Sequence, residues 1–284
     1  MAAQLIEGKK IASRIREELI QEIDELRKKG IQPSLSAIQV GENPGSKVYV
    51  RSQKKSCEMV GIDYNLHQFG TTVTEEELSG FIQKLNQDTQ VSGIILQMPL
   101  PSNLDARGLQ RTIDPKKDAE GVSPTNMGGV VYGKPLLGPC TAMAIMEIIN
   151  SLKLNLYGKE AVMVGHSDIV GKPTALLLLN KFVTTSVCHI ATGERGSLPS
   201  YVRKAEILIV AVGKANLIKG EWIKQGAVVI DVGINRVEGK IVGDVEFEVA
   251  KRKASYITPV PGGVGPVTTA MLLKNTVEAA KMQA

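Results

Sequence analysis

Tyr49 and Gln53 stand four residues apart in YVRSQKKSCEMVGI, residues 49–62, and Lys54 and Lys55 follow at once. Side chains four apart share a helix face, whereas those five apart do not. If Tyr49 marks an active-site face, a glutamine occupies the place where a proton-transfer group is wanted. Lys54 then falls one position late, about 100° further around the helix. Glutamine hydrogen-bonds but is neither acid nor base near neutral pH.

A second candidate is directed at phosphate. In VMVGHSDIVGKPTALLLL, Gly165 directly follows an apolar strand pattern and Gly171 opens an apolar helix pattern, with His166, Ser167, Ile169 and Val170 between them. Small residues let the backbone approach a pyrophosphate, and the helix N-terminus offers free N–H groups. The spacing is not the usual GxGxxG, so a tight structural turn is the competing explanation. Two later apolar runs end VAVG and DVGI, which puts Val212, Gly213 and Ile234 at predicted strand ends. Open parallel sheets bind ligands at those ends, so the set predicts a dinucleotide. A 2′-phosphate wants an arginine in the first turn or near the end of the second strand. Those places hold His166 and Ile190, with Arg195 a few residues beyond. NAD and NADP therefore both stay open, and a preference that is relaxed or shifted towards NAD is expected, because an imidazole is mostly neutral at pH 7.

The elements that must position these residues follow from hydrophobic period. The 284 residues are 43% hydrophobic, enough for one large domain or two ordinary ones. With 28 glycines and 4% aromatics, an α/β chain with many tight strand-to-helix turns fits better than an all-β sandwich. Helices are predicted over 5–29, ending at Gly30, over 46–60, over 75–87, from Thr141 as N-cap, and from near Pro266. Strands are predicted at SLSAIQVG and at VSGIILQMPL, the latter broken by Pro99. A second strand series is AVMVG, TSVCHI, ILIVAVG and GAVVIDVGI, buried on both faces, with a last strand before the Gly/Pro loop at 259–263. Alternating strands and helices imply parallel βαβ units.

Several function classes are disfavoured by counts. The charge of +5 comes from basic residues interleaved with acidic ones, as on a solvated helix face, and it suits small anionic ligands better than nucleic acid. Cys57, Cys140 and Cys188 are odd in number and far apart, and there are three histidines, so no metal site, disulfide framework or Ser-His-Asp triad is expected. The start of the chain has no apolar signal core, no run of about eighteen apolar residues occurs, and a cytoplasmic protein is expected.

The segments VGENPGSKVYV, GIILQMPLP, DPKKDAEG, GPCT, VGHSDIVGKP, WIKQGAVVIDVGIN and ITPVPGGVGPVTTAMLLKNT, in that order, resemble the bifunctional methylenetetrahydrofolate dehydrogenase/methenyltetrahydrofolate cyclohydrolases over nearly the whole chain. The resemblance implies an α/β fold of two domains with a cleft between them: an N-terminal folate-binding domain and a Rossmann-type doubly wound nucleotide domain, with the C-terminal helix returning to the first. Boundaries are expected at 1–140 with 267–284, and at 141–266. It implies oxidation of methylene-tetrahydrofolate by hydride transfer to the nicotinamide of NADP or NAD, followed by hydrolysis of the methenyl cation. A homodimer joined through the nucleotide domains and a polyglutamylated folate substrate are also implied. By position, Tyr49 covers the folate ring, Gln97 hydrogen-bonds the catalytic side chain and the folate, and the acids of KDAEG, Asp118 and Glu120, grip the pterin. Pro259, Gly262 and Gly263 line the folate cleft. Thr141, Gly165, His166 and Ser167 hold the nucleotide, with Ile234 beside the nicotinamide.

The chain also departs from that family's pattern. Gln53 stands where Tyr-x-x-x-Lys carries the proton-transfer lysine, Glu120 replaces the second aspartate of KDVDG, PCTAMA replaces PCTPxG, and VGHS replaces VGRS. Hydride transfer needs alignment and no protein base, whereas hydrolysis needs proton transfer. The expectation is a dehydrogenase with weak or absent cyclohydrolase activity. The alternatives are a fully bifunctional enzyme in which Lys54 or water compensates, and a catalytically silent folate- or nucleotide-binding homologue.

Overall fold

The computed structural model describes residues 2–41 and 43–283, and of residues 44–48 the backbone alone. In chain order, the first half contains β1 (Gln4–Leu5), α1 (Gly8–Lys28), β2 (Ser34–Val40), α2 (Pro44–Val60), β3 (Asp63–Phe69), α3 (Glu75–Gln87), β4 (Gly93–Leu96), α4 (Ala106–Thr112), α5 (Pro124–Val131) and α6 (Cys140–Ser151). The second half contains β5 (Glu160–Val164), α7 (Gly171–Leu179), β6 (Thr184–Cys188), α8 (Ile190–Glu194), α9 (Leu198–Val202), β7 (Ile207–Val210), β8 (Val228–Asp231), β9 (Asn235–Val237), β10 (Lys240–Val242), α10 (Phe247–Lys253), β11 (Tyr256–Ile257) and α11 (Val264–Met282). No helix among the described residues is long and apolar enough to cross a membrane.

The chain divides into two compact units, one of Met1–Ala12 with Thr141–Thr268 and one of Ser13–Cys140 with Thr269–Ala284. The unit built on 13–140 holds a parallel sheet in the order β3-β2-β4. β2 is central and buried at every position, as its SLSAIQV composition requires. Ile38, Leu78, Ile82, Ile94, Leu96 and Leu109 form its core, with α3 packed through Leu78, Ile82 and Leu85. α3 starts at a capping box, Thr74 with Glu77, which satisfies two free N–H groups at its first turn. Beyond β4 the chain returns alongside it: Ile94 N donates to Lys117 O at 2.7 Å and Ala119 N to Ile94 O at 3.2 Å.

The nucleotide-side unit is a six-stranded parallel sheet, β1-β11-β8-β7-β5-β6, plus the β9–β10 hairpin. β7 and β8 are buried throughout, and β5 in all but its first residue. Its core gathers Val162, Val164, Leu208, Val210, Val229 and Ile257.

Four expectations change. Residues 4–5 are a strand paired with Tyr256–Ile257, with Ile6 N donating to Ile257 O at 2.9 Å, so the first residues cluster with the nucleotide-side unit and α1 starts at Gly8 rather than residue 5. TSVCHI is an edge strand and is only partly buried, because no strand pairs with its outer side. DYNLHQF is a further strand, β3, that no apolar run announced, since it too is an edge. The strand at 91–100 is confined to Gly93–Leu96.

Candidate active site

Gln97 follows directly on β4 and is 6% exposed, with its backbone N donating to Ile38 O at 2.8 Å. Its Nε2 donates to Oε1 of Gln53 on α2 at 2.7 Å. The Tyr64 hydroxyl, from the second residue of β3, donates to the same Gln53 oxygen at 3.2 Å. Burial, with a smaller contribution from Cys57, pushes the Tyr64 phenol well above its usual value, so it remains a protonated donor. Gln53 thus has its carbonyl oxygen held by two donors. Tyr49, one helical turn earlier, is 58% exposed and offers its ring as a surface. Lys54 is outside this cluster: it is exposed, with Nζ 3.9 Å from Glu58 Oε1. The 100° step from Gln53 has carried it to the solvent side.

The KDAEG turn is organised from below. Lys117 is buried and caps α3, donating to Leu85 O at 3.1 Å and Asp88 O at 2.7 Å. Asp118 is buried too, and accepts from Gly121 N (3.0 Å), Ser123 N (2.6 Å) and Asn126 Nδ2 (3.0 Å). Both its oxygens are engaged within the turn. Asn275 on α11 holds the Ala119 carbonyl at 2.9 Å and the Gly138 carbonyl at 2.8 Å. Glu120 is half-buried, and burial, with the neighbouring Asp118 charge, pushes its carboxyl up to about 8. It is therefore mostly a neutral acid at pH 7, able to donate as well as accept. Cys140 and Cys57 are buried thiols, Cys57 pushed up to about 12 by burial.

A pH dependence follows. The folded chain keeps the Glu120 proton up to about 8, while the ordinary value is 4.5. Between those limits the folded state binds more protons than the unfolded one, so this group's contribution to stability is lost as pH rises. Glu120→Gln should flatten the decline in urea midpoint between about pH 5 and 8. Parallel slopes for the two proteins would show that Glu120 ionises as an ordinary carboxyl.

On the nucleotide side, the turn after β5 is shaped for a close approach. Gly165 has φ +119°, and a Cβ there would lie 2.3 Å from Ala211 O. A Cβ on Gly171 would lie 2.2 Å from Gly165 O and 2.8 Å from His166 Cα. Ser167 Oγ accepts from Val170 N at 3.2 Å and Gly171 N at 3.4 Å, closing the start of α7. Past the ends of the adjacent strands β8, β7, β5 and β6 stand Ile234, Val212, Ile169 and Ile190, 56%, 38%, 52% and 76% exposed. Exposed aliphatic side chains at those ends suit the flat rings of a dinucleotide. Thr141 lies in the first turn of α6, which begins at Cys140, so it is not the cap itself.

Two buried carboxylates, Asp231 and Asp244, were not singled out from sequence. Asp244 accepts from the amides of Val212 (2.7 Å), Gly213 (3.0 Å) and Lys214 (2.8 Å), and from Asn235 Nδ2 (2.8 Å). Asp231 accepts from the amides of Gly233 (2.9 Å), Asp244 (3.0 Å) and Val245 (2.9 Å), and burial pushes it up to about 6 despite those bonds. An acid closing the run AVVID was the available signal. The loop holding Pro259, Gly262 and Gly263 follows β11 in this unit; Gly262 has φ +103°, and Gly8 of α1 sits against Gly263.

Comparison with known proteins decides the family. Residues 6–120 match the model of the tetrahydrofolate dehydrogenase/cyclohydrolase catalytic domain, and residues 139–284 match the model of its NAD(P)-binding domain. The chain belongs to the tetrahydrofolate dehydrogenase/cyclohydrolase family. A relative from Acetivibrio thermocellus, "Bifunctional protein FolD", is 50% identical over 100% of this chain and 99% of its own. The Campylobacter jejuni bifunctional FolD structure superposes with a TM-score of 0.96 at 45% identity, covering 100% of both chains. The Trypanosoma brucei FolD structure, solved with NADP and an inhibitor, superposes at 0.94 with 40% identity over 99% of this chain and 98% of that one. As a tetrahydrofolate dehydrogenase/cyclohydrolase relative, the chain has an NAD(P)-binding half of the Rossmann kind and an α/β catalytic half. Tyr64 is the site residue that sequence reasoning missed, because a tyrosine on an edge strand carries no local mark of what its hydroxyl touches.

Proposed function

We propose that this chain is a methylenetetrahydrofolate dehydrogenase with little or no methenyltetrahydrofolate cyclohydrolase activity. The observation that carries this reading is the neutral triad of Gln53, Gln97 and Tyr64, in which the side chain at position 53 is an oriented amide with no proton to exchange. Tyr49 stacks on the folate ring, Gln53 Nε2 and Gln97 orient it by hydrogen bonds, and Glu120, as a neutral acid, donates to and accepts from the pterin edge. Pro259, Gly262 and Gly263 complete the folate surface. The nicotinamide, when bound, would supply the hydride acceptor for oxidation of the substrate methylene. The chain's part in that step is alignment: the glycine turn and Ser167 fix the phosphates, Thr141 supports the nucleotide, and Val212 and Ile234 press on its rings.

Nothing in this arrangement then activates water for the hydrolytic step, so the methenyl product leaves or decays spontaneously. The same reading makes the chain a cytoplasmic homodimer acting on polyglutamylated folates. The test is a pair of assays on the purified protein. Methylene-tetrahydrofolate with NAD or NADP should yield the methenyl absorbance, and added methenyl-tetrahydrofolate should decay at its spontaneous rate. No methenyl formation with either cofactor would mean a silent binding protein, and enzyme-dependent decay would mean a bifunctional enzyme.

A further inference from the structure

Tyr64 meets Gln53 and Gln97 from a third element, and the register of the sheet accounts for the meeting. Leu35 of β2 pairs with Tyr64 of β3 on one side and with Gly93 of β4 on the other. Strand side chains alternate between the two faces, so Tyr64 shares a face with Leu35, with Gly93 and, further along the same line, with Gln97. Gln97 continues that line because its N donates to Ile38 O at 2.8 Å. β2 lies between β3 and β4, so the two polar side chains approach from opposite edges across the central strand. Gln53 of α2 bridges them.

The glutamine pair has two possible polarities. In the one present, Gln97 Nε2 donates to Gln53 Oε1 at 2.7 Å and the Tyr64 hydroxyl donates to the same oxygen at 3.2 Å. With both amides turned over, Gln53 Nε2 would donate to Gln97 Oε1 and to the phenol oxygen. The glutamines alone make the same bond to each other either way. Tyr64 breaks the tie. Among the described residues its hydroxyl proton has one acceptor, Gln53 Oε1, and the reversed polarity would leave that half-buried donor unsatisfied. Burial, ahead of a smaller contribution from Cys57, holds the phenol well above its usual value, so the proton stays in place to be donated. Gln53 Nε2 and Gln97 Oε1 have no partner among the described residues.

We propose that Tyr64 is a positioning residue for the folate: acting through Gln53, it fixes the polarity of the glutamine pair, so that Gln53 offers a donor and Gln97 an acceptor to the substrate. The inference rests on the folate role proposed above for Gln53 and Gln97. Without the hydroxyl, Gln53 loses one of the two bonds that hold its oxygen, and the pair populates both polarities. The substrate then meets the competent arrangement in only a fraction of molecules, which weakens its apparent affinity by that fraction. Because the same arrangement serves the bound substrate and the transition state of hydride transfer, the loss falls on KM and leaves kcat alone.

Tyr64→Phe removes one oxygen and keeps the ring. It should raise the KM for methylene-tetrahydrofolate, and the Kd for tetrahydrofolate measured by calorimetry, by about threefold to tenfold, the worth of one neutral hydrogen bond. The kcat, the KM of the nicotinamide cofactor and Tm should stay close to those of the parent. Gln53→Ala should weaken tetrahydrofolate at least as much. Adding Tyr64→Phe to Gln53→Ala should cost nothing further, because the residue through which Tyr64 acts is already gone. Parent affinity in Tyr64→Phe, or a loss that adds in full on the Gln53→Ala background, would overturn the proposal while leaving the folate site as assigned. So would a joint fall in kcat, cofactor affinity and Tm, the signature of a tyrosine that only holds up the fold. Parent affinity for tetrahydrofolate in Gln53→Ala would overturn the reading of the site itself, and the proposal with it. Calorimetry gives the result whether or not the chain turns the folate over.

Discussion

Gln53→Lys raises the rate of methenyl-tetrahydrofolate hydrolysis by about two decades or more, the worth of a positioned general acid/base, and changes hydride transfer far less. Gln53 already sits at the junction of Gln97 and Tyr64, so a lysine of similar length enters a position with two polar partners in place. Rotating the Gln97 amide turns its oxygen towards the ammonium, and the Tyr64 oxygen can accept as well as donate. Partial burial and the cationic methenyl substrate both lower the lysine's pKa towards neutrality, where a base is useful. Lys54→Ala is the counterpart: with its ammonium exposed beside Glu58, it should leave the decay at the spontaneous rate. The measurement is loss of methenyl absorbance for the parent and both variants, corrected for buffer. An unchanged rate in Gln53→Lys sinks this account of position 53, and a loss of enzyme-dependent decay in Lys54→Ala moves the role to that lysine.

Gly8→Ala should be among the most damaging single-methyl additions in the chain. A Cβ at Gly8 would fall 1.7 Å from Gly263 O, 2.7 Å from Gly263 C and 3.0 Å from Gly262 O, all backbone atoms that no rotamer change can move. Glycine to alanine in a helix ordinarily stabilises by about 0.5–1 kcal/mol. Here overpacking of about 1–3 kcal/mol or more reverses that sign and lowers Tm by several degrees. On the folate role proposed for Gly262 and Gly263, displacing them should also lower kcat/KM for the folate by about tenfold or more. Gly80→Ala in α3 is the control, because nothing lies within 4 Å of its added methyl. If Gly8→Ala melts and turns over like Gly80→Ala, neither the crowding at Gly8 nor the role proposed for the loop holds.

The parts of this fold that local pattern encodes were legible. Val/Ile runs marked β5, β7 and β8 because a strand covered on both faces must be apolar at every position. Gly165 and Gly171 marked the tight turn after β5 because crowding there excludes a Cβ. What stayed hidden was non-local. β1 is two residues long and exists only through its pairing with residues some 250 positions later. β3 and β6 are edges, where half-solvated strands mix polar and apolar residues without a clear period. Within the site, the spacing of Tyr49 and Gln53 put them on one face, but the partners of Gln53 come from two different strands, and no spacing rule relates them. The folate roles came from family resemblance, since composition and period alone pointed no further than a nucleotide.

The amides of Val212, Gly213 and Lys214 point at one buried carboxylate, that of Asp244. A concave run of backbone N–H groups at a strand end is the usual place for a phosphate to settle. In this chain an internal anion has taken it. That occupancy constrains how the protein's taste in nucleotides can drift over evolutionary time. A mutation that recruited this loop to a new phosphate would first have to evict Asp244, and with it the hydrogen bond to Asn235 that ties in the segment before Val242. Replacement at the first turn and at the end of β6 carries a smaller penalty, because His166 and His189 are exposed and His189 does no more than cap the short α8. Lineages exchanging one nicotinamide cofactor for the other should therefore show their substitutions at those two strand ends, while Asp244 and its three amides pass unchanged from ancestor to descendant.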